Sequence, residues 1–352
     1  MKKILIIRFR RVGDSVISST LCSSLKKSIP DSEIHYVLNE HIAPLFQHHP
    51  AIDKIITFSH HDMDSSLRYL KKVRAIMKEG KYDIIIDTRS TLKTSVFSLF
   101  SLGTKYRIGR LKSYNRFYHN YRIDNRYRGD KDNVQITLSL LKPLEKEFPI
   151  QYDPYFKLYY TEEERSRYRT YMEKQGIDFS KPVIVCAVTA RLLYKIWPMD
   201  RMKAIVSRII EKYDDVQLIF NFGDKREREN VEQLHKELDN DKHIFTNIEA
   251  NNLRELIAML VNSNFFFGNE GGTRHISQAL DIRSFAIYPP DIPLNNWLPN
   301  KSERYQGIEL ADIDKNASTD KSLTYQDKML LIDVDSVWEK LDDMLKNSPQ
   351  QL

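Results

Sequence analysis

Cysteine is almost missing from this chain: Cys22 and Cys186 are the only two in 352 residues. They lie far apart and among apolar neighbours, which suits reduced core thiols and excludes a disulfide framework or a thiolate metal site. Long apolar runs are missing as well. The stretch from Ile4 to Ile7 is cut off by Arg8, Arg10 and Arg11, and nothing approaches the roughly 18 residues that a membrane-spanning helix needs. The chain therefore reads as cytoplasmic, without signal peptide or transmembrane helix. No fixed-period repeat or low-complexity tract occurs, which leaves disorder to the last few residues. A G-x-G-x-x-G fingerprint is also lacking, which disfavours a nicotinamide oxidoreductase. His48-His49 and His60-His61-Asp62 lack the i, i+4 spacing of a zinc site, so no metal is expected and surface loops account for them.

What the chain does have is length, charge and alternation. Its length exceeds what one core organises, so two domains are expected. The net charge is +6, and nine Lys or Arg against two Asp between Thr104 and Lys131 exceed that balance by themselves. Tyr106, Tyr114, Phe117, Tyr118, Tyr121 and Tyr127 are interleaved with these cations. Such a segment suits a polyanion, and a solvated Arg-rich loop is the competing reading. Its confinement to one stretch disfavours a nucleic-acid-binding module.

Short β-branched runs alternate with stretches of helical period, the pattern of parallel sheets covered by helices. Strands are expected at 3–9, 33–38, 54–58 and 82–87, and again at 183–188, 216–220, 243–246, 264–268 and 284–288. The fold class is thus α/β with two Rossmann-like domains, 1–160 and 161–352. The stretch 153–181 is the expected join, and a closing helix at 334–345 could pack on either domain. Ligands of such sheets bind beyond the carboxyl ends of the strands, and two facing sheets would form an interdomain cleft.

Three strand-to-helix turns carry the chemistry. In Arg10-Arg11-Val12-Gly13-Asp14-Ser15, Gly13 permits a tight turn, while Asp14 reads either as an N-cap or as a carboxylate that accepts a proton from a hydroxyl. In Thr189-Ala190-Arg191-Leu192-Leu193-Tyr194-Lys195-Ile196-Trp197-Pro198, Arg191 and Lys195 suit a phosphate-bearing leaving group, or are solvated beside a packed Trp197. In Asn269-Glu270-Gly271-Gly272-Thr273-Arg274-His275, the amides of Gly271, Gly272 and Thr273 form a natural anion site. Glu270 there suits sugar hydroxyls, and His275 reads as a phosphate contact or a core group. Asp224 and Glu227, after the strand at 216–220, are candidates for nucleotide contact or simple helix-start acids.

In order and placement these motifs resemble glycosyltransferase family 9, the bacterial heptosyltransferases of lipopolysaccharide core synthesis, which have the GT-B fold. The likeness rests on ILIIRFRRVGDSVISSTLCSSLKKSIPDSEIHYV, where Gly13, Asp14 and Pro30 match, on TARLLYKIWP and on FFFGNEGGTRHISQAL. The resemblance implies Asp14 as general base and Lys195, in the K-x-W-P pattern, beside the leaving diphosphate. Gly272 and His275 match the family's D-[ST]-G-x-x-H, whereas Glu270 and Gly271 depart from it. Asp87 to Lys93 is similar to the D-x-Q-G-L-x-K stretch near the acceptor, with Arg89 and Ser90 substituted.

The implied reaction is an inverting, metal-independent transfer from ADP-heptose that requires no cofactor. The implied acceptor is a lipid-linked anionic glycan at the cytoplasmic face of the inner membrane, with peripheral membrane contact and no nucleic acid. Donor-side candidates are Thr189, Arg191, Asp224, Glu227, Glu270, Gly271, Gly272, Thr273 and His275. Acceptor-side candidates are Arg11, Arg89, Lys93, Arg110, Lys112 and Arg116. A GT-B transferase with another nucleotide sugar, and a sugar epimerase of the same architecture, remain as rivals.

Overall fold

The computed structural model describes residues 1–124 and 131–347; Arg126, Tyr127 and Arg128 of the basic segment lie outside them. The chain divides into two compact units, Met1–Tyr159 and Tyr160–Leu352. In the first, strands β1 (Lys3–Ile7), β2 (Glu33–Asn39), β3 (Lys54–Phe58), β4 (Ile84–Asp87), β5 (Tyr106–Arg110) and β6 (Tyr121–Ile123) form one sheet in the order β3-β2-β1-β4-β5-β6. All of its pairings are parallel. Ile4, Leu5, Ile6 and Ile7 are fully buried, as strands covered on both faces must be.

Helix Val12–Ser28 packs on this sheet although much of it is polar. Ser15, Ser18, Ser19 and Thr20 are buried, and Ser19 and Thr20 donate to the carbonyls of Val16 and Ile17 at 2.7 Å. Small hydroxyls that satisfy themselves locally let the helix bury more than one apolar stripe. Strands β5 and β6 arise inside the basic segment, for which a solvated loop was the competing reading. Tyr106 and Ile108 are buried while Arg107 and Arg110 are only partly so, and the rings of Tyr106 and Tyr121 stack at 5.3 Å.

The second unit repeats the plan with β7 (Val183–Ala187), β8 (Gln217–Phe220), β9 (Ile244–Phe245), β10 (Phe265–Asn269), β11 (Arg283–Ile287) and β12 (Tyr305–Ile308), in the order β12-β11-β10-β7-β8-β9. Helix Glu162–Lys174, placed in the expected join, belongs to this unit and is tied to helix Leu253–Val261 by the Arg254–Glu164 ion pair. The closing helix, Val334–Lys346, packs on this unit's own core through Val337, Leu341, Met344 and Leu345.

Both sheets reverse direction of strand order once, between β1 and β4 and between β7 and β10. Those switch points are where an open parallel sheet leaves a crevice for ligand. Among the described residues, no helix is long and apolar enough to cross a membrane.

Candidate active site

At the first switch point the chain leaves β1 under strain. Arg10 and Arg11 have φ of 65° and 59°, a left-handed conformation that costs a non-glycine residue about 1–3 kcal/mol. The Arg10 amide is held by donation to Asn39 Oδ1 at 2.7 Å. Helix Val12–Ser28 then begins with Arg11 as N-cap and no side-chain cap. Asp14 is therefore not the N-cap: it lies in the first turn and accepts from Arg8 Nη2 at 2.5 Å. Arg8 is buried, and its only sequence signal was a cation directly after an apolar strand.

Across the switch point, the fully buried Asp87 ends β4. Its Oδ1 accepts from the amides of Arg89 and Ser90 at 3.0 and 2.8 Å. The hydroxyl of Ser90 accepts from the Arg110 amide at 2.7 Å, and its carbonyl from Tyr114 at 2.9 Å. His119 Nε2 lies 3.5 Å from Asp87 Oδ2, and its Nδ1 is 3.1 Å from Ser98 Oγ. The ends of β4 and β5 and the loop that follows are thus one hydrogen-bonded body, which sequence reading missed because Arg110, Tyr114 and His119 lie far along the chain from Asp87 and Ser90.

Of the acceptor-side candidates, Arg89 is half-buried and donates to the Phe9 carbonyl at 3.2 Å. Arg11, Lys112 and Arg116 are exposed and Arg110 is partly buried. The ammonium of Lys93 donates to the Met63 carbonyl at 2.9 Å and lies over the Tyr69 ring.

In the second unit, Gly268 has φ of 145°, and a Cβ there would come within 2.4 Å of the Ala187 carbonyl oxygen. Only glycine lets β10 approach β7 this closely. Asn269 follows and ties the two motifs together. Its amide donates to the carbonyls of Ala187 and Val188 at 3.1 and 3.0 Å, and its Oδ1 accepts from the Trp197 amide at 2.8 Å. Trp197 is fully buried, with Nε1 donating to the Ile332 carbonyl.

That anchoring brings Lys195 against Glu270 in an ion pair, the carboxylate 2% and the ammonium side chain 14% exposed. The other Glu270 oxygen lies 3.4 Å from His275 Nε2. Burial alone would raise the Glu270 pKa, but the His275 hydrogen bond and the charges of Lys195, His275 and Arg274 hold it at about 2. Arg274, fully buried, lies 2.6 Å from His275 Nδ1 and donates to the Trp297 carbonyl. Lys195 is therefore not a solvated cation, whereas Arg191 is exposed.

Asp224 caps helix Lys225–Glu237, accepting from the Glu227 amide at 2.9 Å. Glu227 folds back onto the Gly223 amide at 2.7 Å, and burial pushes its carboxyl up. Arg226 donates to the carbonyls of Ala190 and Arg191 and so fixes the loop before Lys195. The hydroxyl of Thr189 is buried with no hydrogen-bond partner among the described residues. Gly271 is extended, with nothing but the Asn269 carbonyl, at 3.9 Å, near the place of a Cβ.

His49, expected on a surface loop, is buried, which lowers its pKa to about 4. Among the described residues no group of three or more His, Cys, Asp or Glu is placed to hold a metal ion.

Among the described α-helices of eight residues or more, three lack a side-chain N-cap: Val12–Ser28, Met199–Lys212 and Gly272–Ala279. They are the helices opened by the three motifs. All others of that length are capped by Ser65, Thr91, Thr161, Asp224, Asn252 or Asp333. An uncapped start leaves amide donors and the positive dipole end for an anion.

Two Rossmann-like units with donor-rich helix starts at their switch points are the GT-B architecture. The chain belongs to glycosyltransferase family 9 (heptosyltransferase), whose family model matches residues 70–323. It is 23% identical to lipopolysaccharide heptosyltransferase 1 of Campylobacter coli, over 81% of this chain and 83% of that protein. In fold it is similar to a family 9 glycosyltransferase from Veillonella parvula, with a TM-score of 0.79 at 19% identity over 97% of each chain. It is likewise similar to the E. coli ADP-heptose lipopolysaccharide heptosyltransferase II, with a TM-score of 0.73 at 18% identity over 98% of each chain.

Proposed function

We propose that the protein transfers heptose from ADP-heptose, with inversion, to a lipid-linked lipopolysaccharide core acceptor or related surface glycan at the cytoplasmic face of the inner membrane. The observation that carries this reading is the coincidence of the three uncapped helices with the three family motifs. The second unit binds the donor. Amides of Gly271, Gly272 and Thr273 and the ammonium of Lys195, aimed by Glu270, receive the diphosphate, with Arg191 adding charge at the rim. Thr189 supplies its unpartnered hydroxyl, Glu227 lies toward the nucleoside, and His275 braces Glu270.

The first unit binds the acceptor through Arg11, Arg89, Arg110, Lys112 and Arg116. Asp14, oriented by Arg8, takes the proton of the attacking hydroxyl, and the C–O bond to ADP breaks as the new glycosidic bond forms. No cofactor or metal enters these steps. Two relations support the donor: the similarity to the named ADP-heptose enzyme, and a phosphate site built from amides and a cation.

Calorimetric titration with ADP, UDP and GDP, together with Asp14→Asn, tests the reading. Selective ADP binding that survives Asp14→Asn while transfer is lost is expected. Preference for UDP or GDP replaces the donor, and full transfer by the Asp14 variant removes the mechanism.

A further inference from the structure

Helix Ser66–Gly80 buries Tyr69, Val73 and Met77, and helix Leu92–Leu99 buries Thr94, Ser95, Phe97 and Ser98. The two meet where Tyr69 donates to the Lys93 carbonyl at 2.6 Å, and Phe97 shares a core cluster with Tyr69, Val73 and Met77. A helix with one buried stripe presents the opposite stripe outward, and here the outward side mixes large apolar residues with charged ones, among them Glu79. Leu67, Leu70, Leu92, Leu99, Phe100 and Leu102 are exposed, Leu67 by 77% and Leu92 by 62%. A soluble surface rarely gathers this many large apolar side chains without a partner.

Cations share the same stripe. Lys71, Arg74 and Lys78 are exposed and fall four, seven and eleven residues after Leu67, on one helical face. None has an ion-pair partner among the described residues. The acids at the start of this region, Asp62 and Asp64, are already paired with Lys72 and Arg68. Leucines interleaved with unpaired cations complement a surface that is apolar below and anionic above.

We propose that the outer face of helices Ser66–Gly80 and Leu92–Leu99, rather than the basic segment after Thr104 alone, docks the enzyme on an anionic lipid bilayer. The inference rests on the membrane-bound acceptor proposed above and names the surface that reaches it.

The test is flotation of the full chain with phosphatidylglycerol or phosphatidylcholine vesicles. Wild type should float with the anionic vesicles, and salt should weaken this. A Leu67→Ser/Leu92→Ser/Leu102→Ser variant and a Lys71→Glu/Arg74→Glu variant should each lower the bound fraction on the order of tenfold. Both should keep the wild-type melting temperature and full transfer to a delipidated, soluble acceptor.

Failure of wild type to float, or flotation of both variants like wild type, overturns the docking surface. So does a wild-type dimer, by light scattering, that the leucine variant abolishes, because the face then covers a second copy. Transfer to the soluble acceptor, measured without vesicles, reports separately on the proposed reaction.

Discussion

Replacing Glu270 by Gln tests the electrostatics of the second unit. The carboxylate is almost fully buried between Lys195 and His275. Burial works to raise its pKa, yet the His275 hydrogen bond and the surrounding cations bring it from 4.5 down to about 2. A folded pKa below the unfolded one means that the ionised carboxylate stabilises the native unit. That contribution is complete above 4.5 and is lost as pH falls toward 2. At about 1.4 kcal/mol per pH unit it amounts to about 3 kcal/mol.

Glu270→Gln should remove this at neutral pH and leave Lys195 without its counter-charge. Trp197, Trp297 and Trp338 are the only tryptophans and all lie in the second unit. Intrinsic fluorescence in urea therefore follows that unit alone, which avoids fitting two units as one transition. The gap between wild type and variant should be about 3 kcal/mol at neutral pH and should shrink by more than half by about pH 3. Adding Lys195→Met should recover part of it, because no ammonium is then left buried without its counter-charge. Equal midpoints at neutral pH, or a gap unchanged down to pH 3, would refute the reasoning.

Thr189→Val should leave the second unit equally stable or slightly more so, since the buried hydroxyl has no partner to lose. ADP affinity by calorimetry should still fall by about tenfold if that hydroxyl meets the ligand. Gly109→Ala places a Cβ 2.4 Å from His119 Cδ2. It should destabilise the first unit by about 1–3 kcal/mol in chemical denaturation, and combining it with His119→Ala should cost less than the sum of the two. Asn269→Ala removes the link from Trp197 to Ala187 and Val188. A loss of about 2 kcal/mol or more, with weaker ADP binding than stability alone explains, is expected from denaturation and calorimetry.

Much of the fold was legible because its central strands are continuous apolar runs. Ile4 to Ile7, Ile84 to Ile86 and Phe265 to Phe267 could be placed from composition alone. The strands β5, β6 and β12 were not legible, although the opposite edges, β3 and β9, were. Arg107 and Arg122 hide the alternation of β5 and β6, and β12 is four residues with a glycine at its third position. The first helix begins at Val12, ahead of Asp14, the residue the sequence offered as its N-cap, because a start without a capping side chain carries no sequence signal. At the site, the motif residues were visible and their partners were not. Lys195 with Glu270, Asp14 with Arg8, and Asp87 with His119 are pairings made by topology rather than spacing. Asp224 shows the reverse case, where the plain helix-start reading describes the observed cap.

The two units meet the same demand by different means. At the β7/β10 switch point the close backbone approach is taken by Gly268, and the space beside Gly271 stays open. At the β1/β4 switch point Arg10, Arg11 and Ser90 adopt positive φ without being glycine. Each costs about 1–3 kcal/mol, and the missing cap on the following helix forgoes about 1 kcal/mol more. A chain that caps its other long helices has no folding reason to leave these starts open. Local rules broken together at one place mark a site whose groups are kept for something other than stability. In the first unit what is kept is side chain: Arg11 exposed beside Asp14, where glycine would relax the backbone and lose the guanidinium. In the second it is backbone, with the amides of Gly271 and Gly272 uncovered. A carboxylate paired with the Arg8 guanidinium suits an anionic acceptor that must surrender a proton. Bare amides beside a lysine suit a diphosphate that must leave.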